Sequence, residues 1–178
     1  TLEKINKSEL SISRTLILVP ASLVRQWLSE INTWCYFKTI QFPDLNDVDE
    51  EIEFTRQVLT NSAEILIMSY DLFKRKYDTV LDTGETEKAM NAGEITLLTL
   101  LNEHFGLVIM DEVHCLRNPN SALTKAIKLL EIKHKVGLTG TIFQNNYQEL
   151  HTLLDIMNPG CVEEYKQFKR VYVAPIIK

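Results

Sequence analysis

Two adjacent carboxylates and a histidine follow an apolar run in the middle of the chain. The run is Leu107-Val108-Ile109-Met110, and Asp111-Glu112-Val113-His114 comes directly after it. A short continuous apolar run is typical of a buried parallel strand, which would end at the acids. Paired carboxylates at a strand end suit a metal–phosphate site. Asp111 would hold Mg²⁺ through its water shell, and Glu112 would polarise an attacking water.

A second polar segment follows further along the chain. Leu138-Thr139-Gly140-Thr141 is succeeded by Gln144-Asn145-Asn146. The hydroxyls of Thr139 and Thr141, with Gly140 between them, could bond the acidic segment on one side and contact a ligand on the other. As a bare tripeptide this is an ordinary turn, but it lies one strand–helix unit after the acids. The two segments together indicate part of a nucleic-acid motor ATPase.

Composition narrows the class of protein. The chain has 178 residues, 45% apolar and 24% charged, which is ordinary for one globular domain with a real core. No apolar run is long enough to span a membrane, and residues 1–14 lack the apolar centre of a signal peptide. The cysteines (Cys35, Cys115 and Cys161) form no CxxC pair, so a reducing intracellular compartment fits best. The net charge of −5 excludes a simple basic-patch binder, but not a motor that holds phosphates with backbone amides.

Strands and helices are predicted to alternate along the whole chain. Apolar runs predict strands at 15–19, 39–42, 64–68, 107–110 and 135–138. Apolar periodicity predicts helices at 49–59 and 95–101, after Ser22 as cap, after Ser69-Tyr70 through Lys76, opening at 118–121, and after Asn145 as cap. Residues 78–94 contain two glycines and little periodicity, so we expect a surface insertion there. This order predicts an α/β fold with a parallel sheet.

Four small or polar segments are expected at one edge of this sheet, because parallel sheets bind ligands at the carboxyl ends of their strands. Besides the two segments above, Pro20 and Ser22 follow the first strand, and Ser69 and Tyr70 follow the third. A hydroxyl and an aromatic ring at such a place can meet a phosphate and a sugar. Four such segments together predict a working surface, although each alone would be only a turn.

Simpler interpretations of the same residues remain open. Asp111 and Glu112 could be the acid-rich start of a helix, which the helix dipole favours without any metal. Asp111, His114 and Cys115, together with His104, could instead form a zinc site, although Asp-x-x-His-Cys is not a recognised ligand spacing. A separate functional alternative is a metal-dependent hydrolase that uses Asp111, Glu112 and His114 alone.

These segments resemble the motifs of the Swi/Snf-type ATPases of helicase superfamily two, and the match runs from Thr15 to Pro175. The matching segments are 16–24 with Trp27 and Glu30 (motif Ia), 65–70 (motif Ib), 111–114 with Arg117 and Asn118 (motif II), 138–141 with 144–146, 149–150, 154–155 and 158–160 (motif III and its extension), and Phe168 with Pro175-Ile176 (the closing element). Ile142 replaces the usual proline, and Val113 the usual small residue. Residues 33–37 and 137–142 look closest to the excision-repair cross-complementation group six-like two branch.

The resemblance implies that residues 1–178 form the first RecA-like lobe of a DNA-dependent ATPase, a three-layer α/β lobe of the P-loop NTPase type. It implies ATP and Mg²⁺ as cofactors, duplex DNA and a second RecA-like lobe of the same parent chain as partners, and the nucleus as location. Its residue roles are catalysis by Asp111 and Glu112, with Mg²⁺ on Asp111 through water; coupling by His114, Thr139, Gly140, Thr141 and Gln144; and DNA binding by Pro20, Ser22, Ser69, Tyr70 and Asn146.

One element of that family's pattern is absent from the sequence. No Gly-x-x-x-x-Gly-Lys-Ser/Thr phosphate loop occurs in it. The family places this loop before motif Ia and the second lobe after the first, so we expect them before residue 1 and after residue 178. The isolated chain is therefore expected to be inactive. The alternative is a catalytically inactive RecA-like interaction module.

Overall fold

A parallel sheet positions every candidate site segment. The computed structural model describes residues 14–44, 50, 53–54, 56, 58, 60, 63–82, 97–141 and 146–176. Within them, five strands pair in the order β2-β3-β1-β4-β5, all parallel. The strands are β1 Thr15–Val19, β2 Thr39–Gln41, β3 Ile65–Ser69, β4 Leu107–Met110 and β5 His134–Gly137. Each predicted strand is present within one residue at either end, which confirms the α/β parallel-sheet prediction.

Helices connect the strands. They are α1 Val24–Trp34, α2 Tyr70–Asp82, α3 Leu97–His104, α4 Ala122–Lys128, α5 Tyr147–Met157 and the short α6 Tyr165–Phe168. The described residues of the helix predicted at 49–59 are also helical. Helix α2 runs past its predicted end at Lys76 into the predicted insertion, of which residues 83–94 lie outside the described residues. None of the described helices is both long and apolar enough to cross a bilayer.

The sheet is the middle of three layers. Alternate residues of each strand face opposite sides, so Leu16 and Leu18 pack with α2, α4 and α5, whereas Ile17 and Val19 pack with α1. Helix α1 covers β1 and β3. On the same face, Ile109 of β4 is only half-buried, and its register partner Val136 of β5 is 42% exposed. The described residues therefore leave the β4–β5 part of this face open.

The helix starts differ from two predictions. Ser22 makes no capping bond, because a 3-10 turn at Ala21–Leu23 precedes α1. Helix α5 is capped by Asn146 rather than by Asn145, which lies outside the described residues; the Asn146 side chain accepts a bond from the Gln148 N–H. Ser121 caps α4, accepting from the Thr124 N–H at 3.1 Å.

The buried face of α5 also differs from the prediction. The apolar spacing of its sequence predicts a buried stripe of Leu150, Leu153, Leu154 and Met157. The buried residues of the helix are Thr152, Leu153 and Ile156, while Leu154 is 37% exposed. The helix is rotated toward Thr152, whose hydroxyl can be buried because it donates to the Gln148 carbonyl at 2.8 Å.

Candidate active site

Backbone hydrogen bonds hold the acidic segment at the carboxyl edge of the sheet. The Asp111 N–H donates to the Leu18 carbonyl at 2.9 Å, which ties the end of β4 to β1. On the other side, the Leu138 N–H donates to the Met110 carbonyl at 2.8 Å, and the Val113 N–H donates to the Leu138 carbonyl at 2.9 Å. The acids and the threonine segment after β5 are thus fixed side by side, as expected.

Asp111 is held through its carboxylate and its backbone. Its Oδ1 accepts from the Glu112 N–H, and its Oδ2 from the indole N–H of Trp27, each at 2.8 Å. The Tyr70 hydroxyl donates to the Asp111 carbonyl at 2.8 Å. Tyr70 is only 4% exposed, and this burial raises the pKa of its hydroxyl far above the usual range. Tyr70 therefore remains protonated and is a permanent donor.

Glu112 has a strained backbone. Its φ of 48° and ψ of 46° lie in the left-handed region, and no other non-glycine residue described has a positive φ. This conformation costs an L-residue roughly 1–2 kcal/mol, and such strain clusters at functional sites. It turns the chain from the strand into a 3-10 turn at Val113–Leu116. As a result, Asp111 and His114 contact different neighbours, Trp27 and Thr139, although they are three residues apart in sequence.

His114 joins the acidic segment to the threonine segment. Its Nδ1 lies 3.0 Å from Glu112 Oε2 and 3.1 Å from Thr139 Oγ1. When Nδ1 carries a proton it can donate to the Glu112 carboxylate, and when it lacks one it can accept from the Thr139 hydroxyl. Thr139 Oγ1 also accepts from the Thr141 N–H at 3.1 Å. The contact between His114 and Thr139 is the one that the predicted coupling role requires.

A cavity beside Asp111 has room for a hydrated ion. It has a volume of about 330 Å³ and is lined by Leu23, Gln26, Trp27, Glu30 and Asp111. Each Asp111 carboxylate oxygen keeps a lone pair beyond its one bond, so the site fits Mg²⁺ held through water. No cation is among the lining residues, so triphosphate binding needs groups that this cavity does not supply.

A second cavity, of about 220 Å³, lies at the ends of β1, β2 and β3. Arg25, Arg75 and Ser69 line it, together with Asp44. Arg75 and Asp44 form an ion pair at 2.9 Å, and the hydrogen bond from Arg75 holds the pKa of the Asp44 carboxyl below its usual range. Neither arginine is among the predicted site residues, although they follow the first and third predicted strands.

The remaining predicted residues occupy different surroundings. Ser22 is exposed and Pro20 is half-buried at the end of β1, while the Ser69 hydroxyl accepts from the Leu72 N–H at 3.2 Å. Asn146 is exposed and caps α5. Gly140 has nothing within 4 Å of an added Cβ, so packing does not require a glycine there. Gln144 lies outside the described residues.

Tyr70 requires a correction. It was predicted to meet a sugar or phosphate at the surface, but its ring is packed in the larger core and its hydroxyl is bonded to Asp111. The reason is that Tyr70 is the first residue of α2, which packs against that face of the sheet. Tyr70 therefore supports the acidic segment from the core, through its hydrogen bond to the Asp111 carbonyl.

The alternative zinc site gains no geometric support. Among the described residues, no group of three or more His, Cys, Asp or Glu is placed to hold a metal ion. Burial raises the pKa of the Cys115 thiol to about 11, which keeps it protonated near neutral pH. A thiol must lose its proton to bind zinc, so Cys115 is poorly suited as a ligand.

Comparison with known proteins gives consistent matches. A sequence profile of the family described as "SNF2-related domain" matches residues 1–178. "DNA repair and recombination protein RAD54B" of Mus musculus is 30% identical over 166 residues, which cover 93% of this chain and 16% of that protein. "DNA excision repair protein ERCC-6-like 2" of Mus musculus is 29% identical over 161 residues, covering 90% of this chain and 9% of that protein. These similar identities do not single out the branch that the sequence motifs resembled.

A solved structure shares the fold. "Sulfolobus solfataricus SWI2/SNF2 ATPase core in complex with dsDNA" superposes with a TM-score of 0.64 at 20% sequence identity. The superposition covers 96% of this chain and 30% of that one. The chain therefore corresponds to a minor part of the proteins and structures that it matches.

Proposed function

Because the chain belongs to the SNF2-related domain family, we propose that it is part of the first motor lobe of an ATP-dependent DNA translocase. The observation that carries this proposal is the joined site at the sheet edge. A carboxylate pair, a histidine and a threonine form one chain of close contacts at the ends of two neighbouring strands, in which His114 Nδ1 lies 3.0 Å from Glu112 Oε2 and 3.1 Å from Thr139 Oγ1. Such a chain can pass a change at a nucleotide to a change at a nucleic-acid surface.

The two acids have separate roles in this proposal. Asp111 would hold Mg²⁺ through water beside the 330 Å³ cavity, and the metal would neutralise phosphate charge when bound. Glu112 would orient the attacking water and accept its proton. Glu112 Oε2 lies 3.0 Å from His114 Nδ1 in this structure, so it would turn away from that neighbour to act as a base.

His114 would act as the coupling residue. Its Nδ1 can serve either Glu112 or Thr139 according to its protonation. Release of Glu112 would therefore favour the bond to Thr139, and the two segments would change together. Thr139, Gly140, Thr141 and Gln144 continue the coupling segment toward the nucleic acid.

The DNA-facing surface would lie along the rest of the same edge. We assign DNA contact to four residues of this edge: Pro20, Ser22, Ser69 and Asn146. Tyr70 cannot contact DNA in this way because it is buried. Arg25 and Arg75 are added because they line the cavity beside Ser69 and carry the charge that backbone phosphates attract. Because Asp44 is paired with Arg75, the charged residues lining this cavity carry one net positive charge, in a chain whose net charge is −5.

The rest of the motor would come from a longer parent protein, nuclear and acting on duplex DNA, with ATP as its cofactor. The open part of the α1 face at β4 and β5 lies next to Asp111. A phosphate-loop segment placed there would meet the Mg²⁺ site. A second RecA-like lobe would close the nucleotide from the other side.

Glu112→Gln in that parent protein tests the proposal. The amide keeps the shape of the side chain but cannot accept the proton, so kcat should fall by about 10²-fold or more while nucleotide binding persists. Steady-state ATPase and equilibrium nucleotide binding, with and without duplex DNA, give both quantities. A near-normal kcat would show that this pair is not catalytic, whereas an unmodified parent without any turnover would favour the inactive interaction module.

A further inference from the structure

The indole N–H of Trp27 holds the Asp111 carboxylate from outside its own segment of chain. Trp27 and Asp111 are 84 residues apart, and Nε1 lies 2.8 Å from Oδ2 in a partly buried setting. Hydrogen bonds from a neutral donor to an ionised carboxylate are stronger than those between neutral groups. We propose that Trp27 is a positioning residue that fixes the Asp111 carboxylate for Mg²⁺.

The geometry of the carboxylate explains why this donor matters. Asp111 Oδ1 accepts from the adjacent Glu112 N–H, a bond that fixes one oxygen only. Rotation about that oxygen is stopped by the Trp27 bond to Oδ2. With both bonds present the carboxylate cannot rotate. Its remaining lone pairs are then held in one fixed orientation beside the cavity that Trp27 and Asp111 both line.

Trp27 is itself held in place by packing. It is half-buried and packs against the cluster formed by α1 with β1 and β3, where Ile17 and Val19 are nearly inaccessible. Its ring is therefore anchored against β1 and β3, while its N–H reaches Asp111 at the end of β4. A rigid donor loses little freedom when the metal binds, which is the advantage of a preorganised support.

The same helix supplies a matched control. Trp34 also donates its indole N–H to a carboxylate, Glu30 Oε2, at 2.9 Å. However, Trp34 is 77% exposed and lies at the far end of α1. Trp34→Phe removes the same chemical group from the same helix and leaves both bonds to the Asp111 carboxylate in place, while its partner Glu30 lines the same cavity.

The test measures nucleotide binding as a function of Mg²⁺ in the parent protein, with a fluorescent ATP analogue as the probe. Trp27→Phe keeps an aromatic ring and removes the N–H. We expect it to raise the Mg²⁺ concentration for half-maximal binding by roughly tenfold, as the loss of one bond to a charged group predicts. Trp34→Phe should change it less than about twofold. In an Asp111→Asn background, Trp27→Phe should have no further effect.

The inference rests on the proposed function, and the outcomes separate the two. If Trp27→Phe behaves like Trp34→Phe while Asp111→Asn still shifts the Mg²⁺ dependence, the role of Trp27 is refuted and the metal site stands. If Asp111→Asn changes nothing, the proposed function fails and the role of Trp27 with it. If Trp27→Phe unfolds, replacing Trp27 with 3-benzothienylalanine, which has sulfur in place of the N–H, decides by the same criteria.

Discussion

Replacing Gly137 with alanine tests how tightly the two halves of the candidate site are packed. A Cβ at Gly137 would lie 2.9 Å from Met157 Sδ, and 3.1 and 3.3 Å from the two methyl carbons of Val113. The methionine sulfur belongs to a flexible side chain and can move. Val113 cannot move as easily, because it is 4% exposed and lies in the 3-10 turn directly after Glu112.

The expected cost follows from these distances. Overpacking a core lowers the free energy of unfolding by roughly 1–3 kcal/mol. Gly137→Ala adds one methyl group between the flexible Met157 and the rigid Val113, so we expect a cost of about 1–2 kcal/mol. For a domain of this size, that lowers Tm by about 2–8 °C. Val113→Ala removes both methyl groups in the way and alone costs about 1–2 kcal/mol. The double variant should then be more stable than the sum of the two costs predicts, by about 0.5–1 kcal/mol.

Urea and thermal unfolding of the 178-residue chain, followed by circular dichroism, measure these differences. Gly140→Ala is the control, because nothing lies within 4 Å of its added Cβ. Its stability should stay within about 0.5 kcal/mol of the unmodified chain. If Gly137→Ala is equally harmless, or if its cost simply adds to that of Val113→Ala, the proposed close contact between the strand end and the acidic segment is refuted.

Other predictions concern activity, coupling and local stability. The chain alone should hydrolyse ATP at background rate with Mg²⁺ and duplex DNA, since its sequence has no phosphate loop; turnover that Glu112→Gln abolishes would contradict this. Thr139→Val with Thr141→Val in the parent should lower DNA stimulation of ATPase while basal nucleotide binding survives, because the bond to His114 is lost; an unchanged stimulation ratio would end the coupling role. Ser121→Ala should lower the free energy of unfolding by about 1 kcal/mol through loss of the α4 cap, whereas an effect no larger than that of Ser22→Ala would show that the cap is unimportant.

The strands and the order of the site segments could be predicted from the sequence because they depend on local patterns. Runs of four or five apolar residues such as 15–19 and 107–110 can be buried on both faces only in a covered sheet. Once the sheet is parallel, the residues after each strand must share one edge. The contact between His114 and Thr139 follows from that topology together with one strand–helix unit of spacing.

The support of Asp111 could not be predicted in the same way. The bond from Trp27 joins residues 84 apart, and the bond from Tyr70 joins residues 41 apart. Each depends on how a helix lies on the sheet, which periodicity does not determine. Tyr70 was misplaced because an aromatic residue after a strand can begin a helix facing inward or stand at the surface. The choice between Asn145 and Asn146 as cap had a usable signal, since Glu149 occupies the third helical position after Asn146.

The strained backbone at Glu112 explains how one short segment can serve two partners. An extended chain would send alternate residues to opposite faces and would leave His114 no route to the neighbouring strand end. The left-handed turn instead lets Asp111 meet Trp27 on the α1 side while His114 meets Thr139 beyond β5. Loss of the Trp27 donor should therefore alter metal dependence and spare DNA stimulation, while loss of the Thr139 hydroxyl should do the reverse. A variant at either position that changed both quantities together would mean that the two contacts are not independent, and that the turn moves as one body.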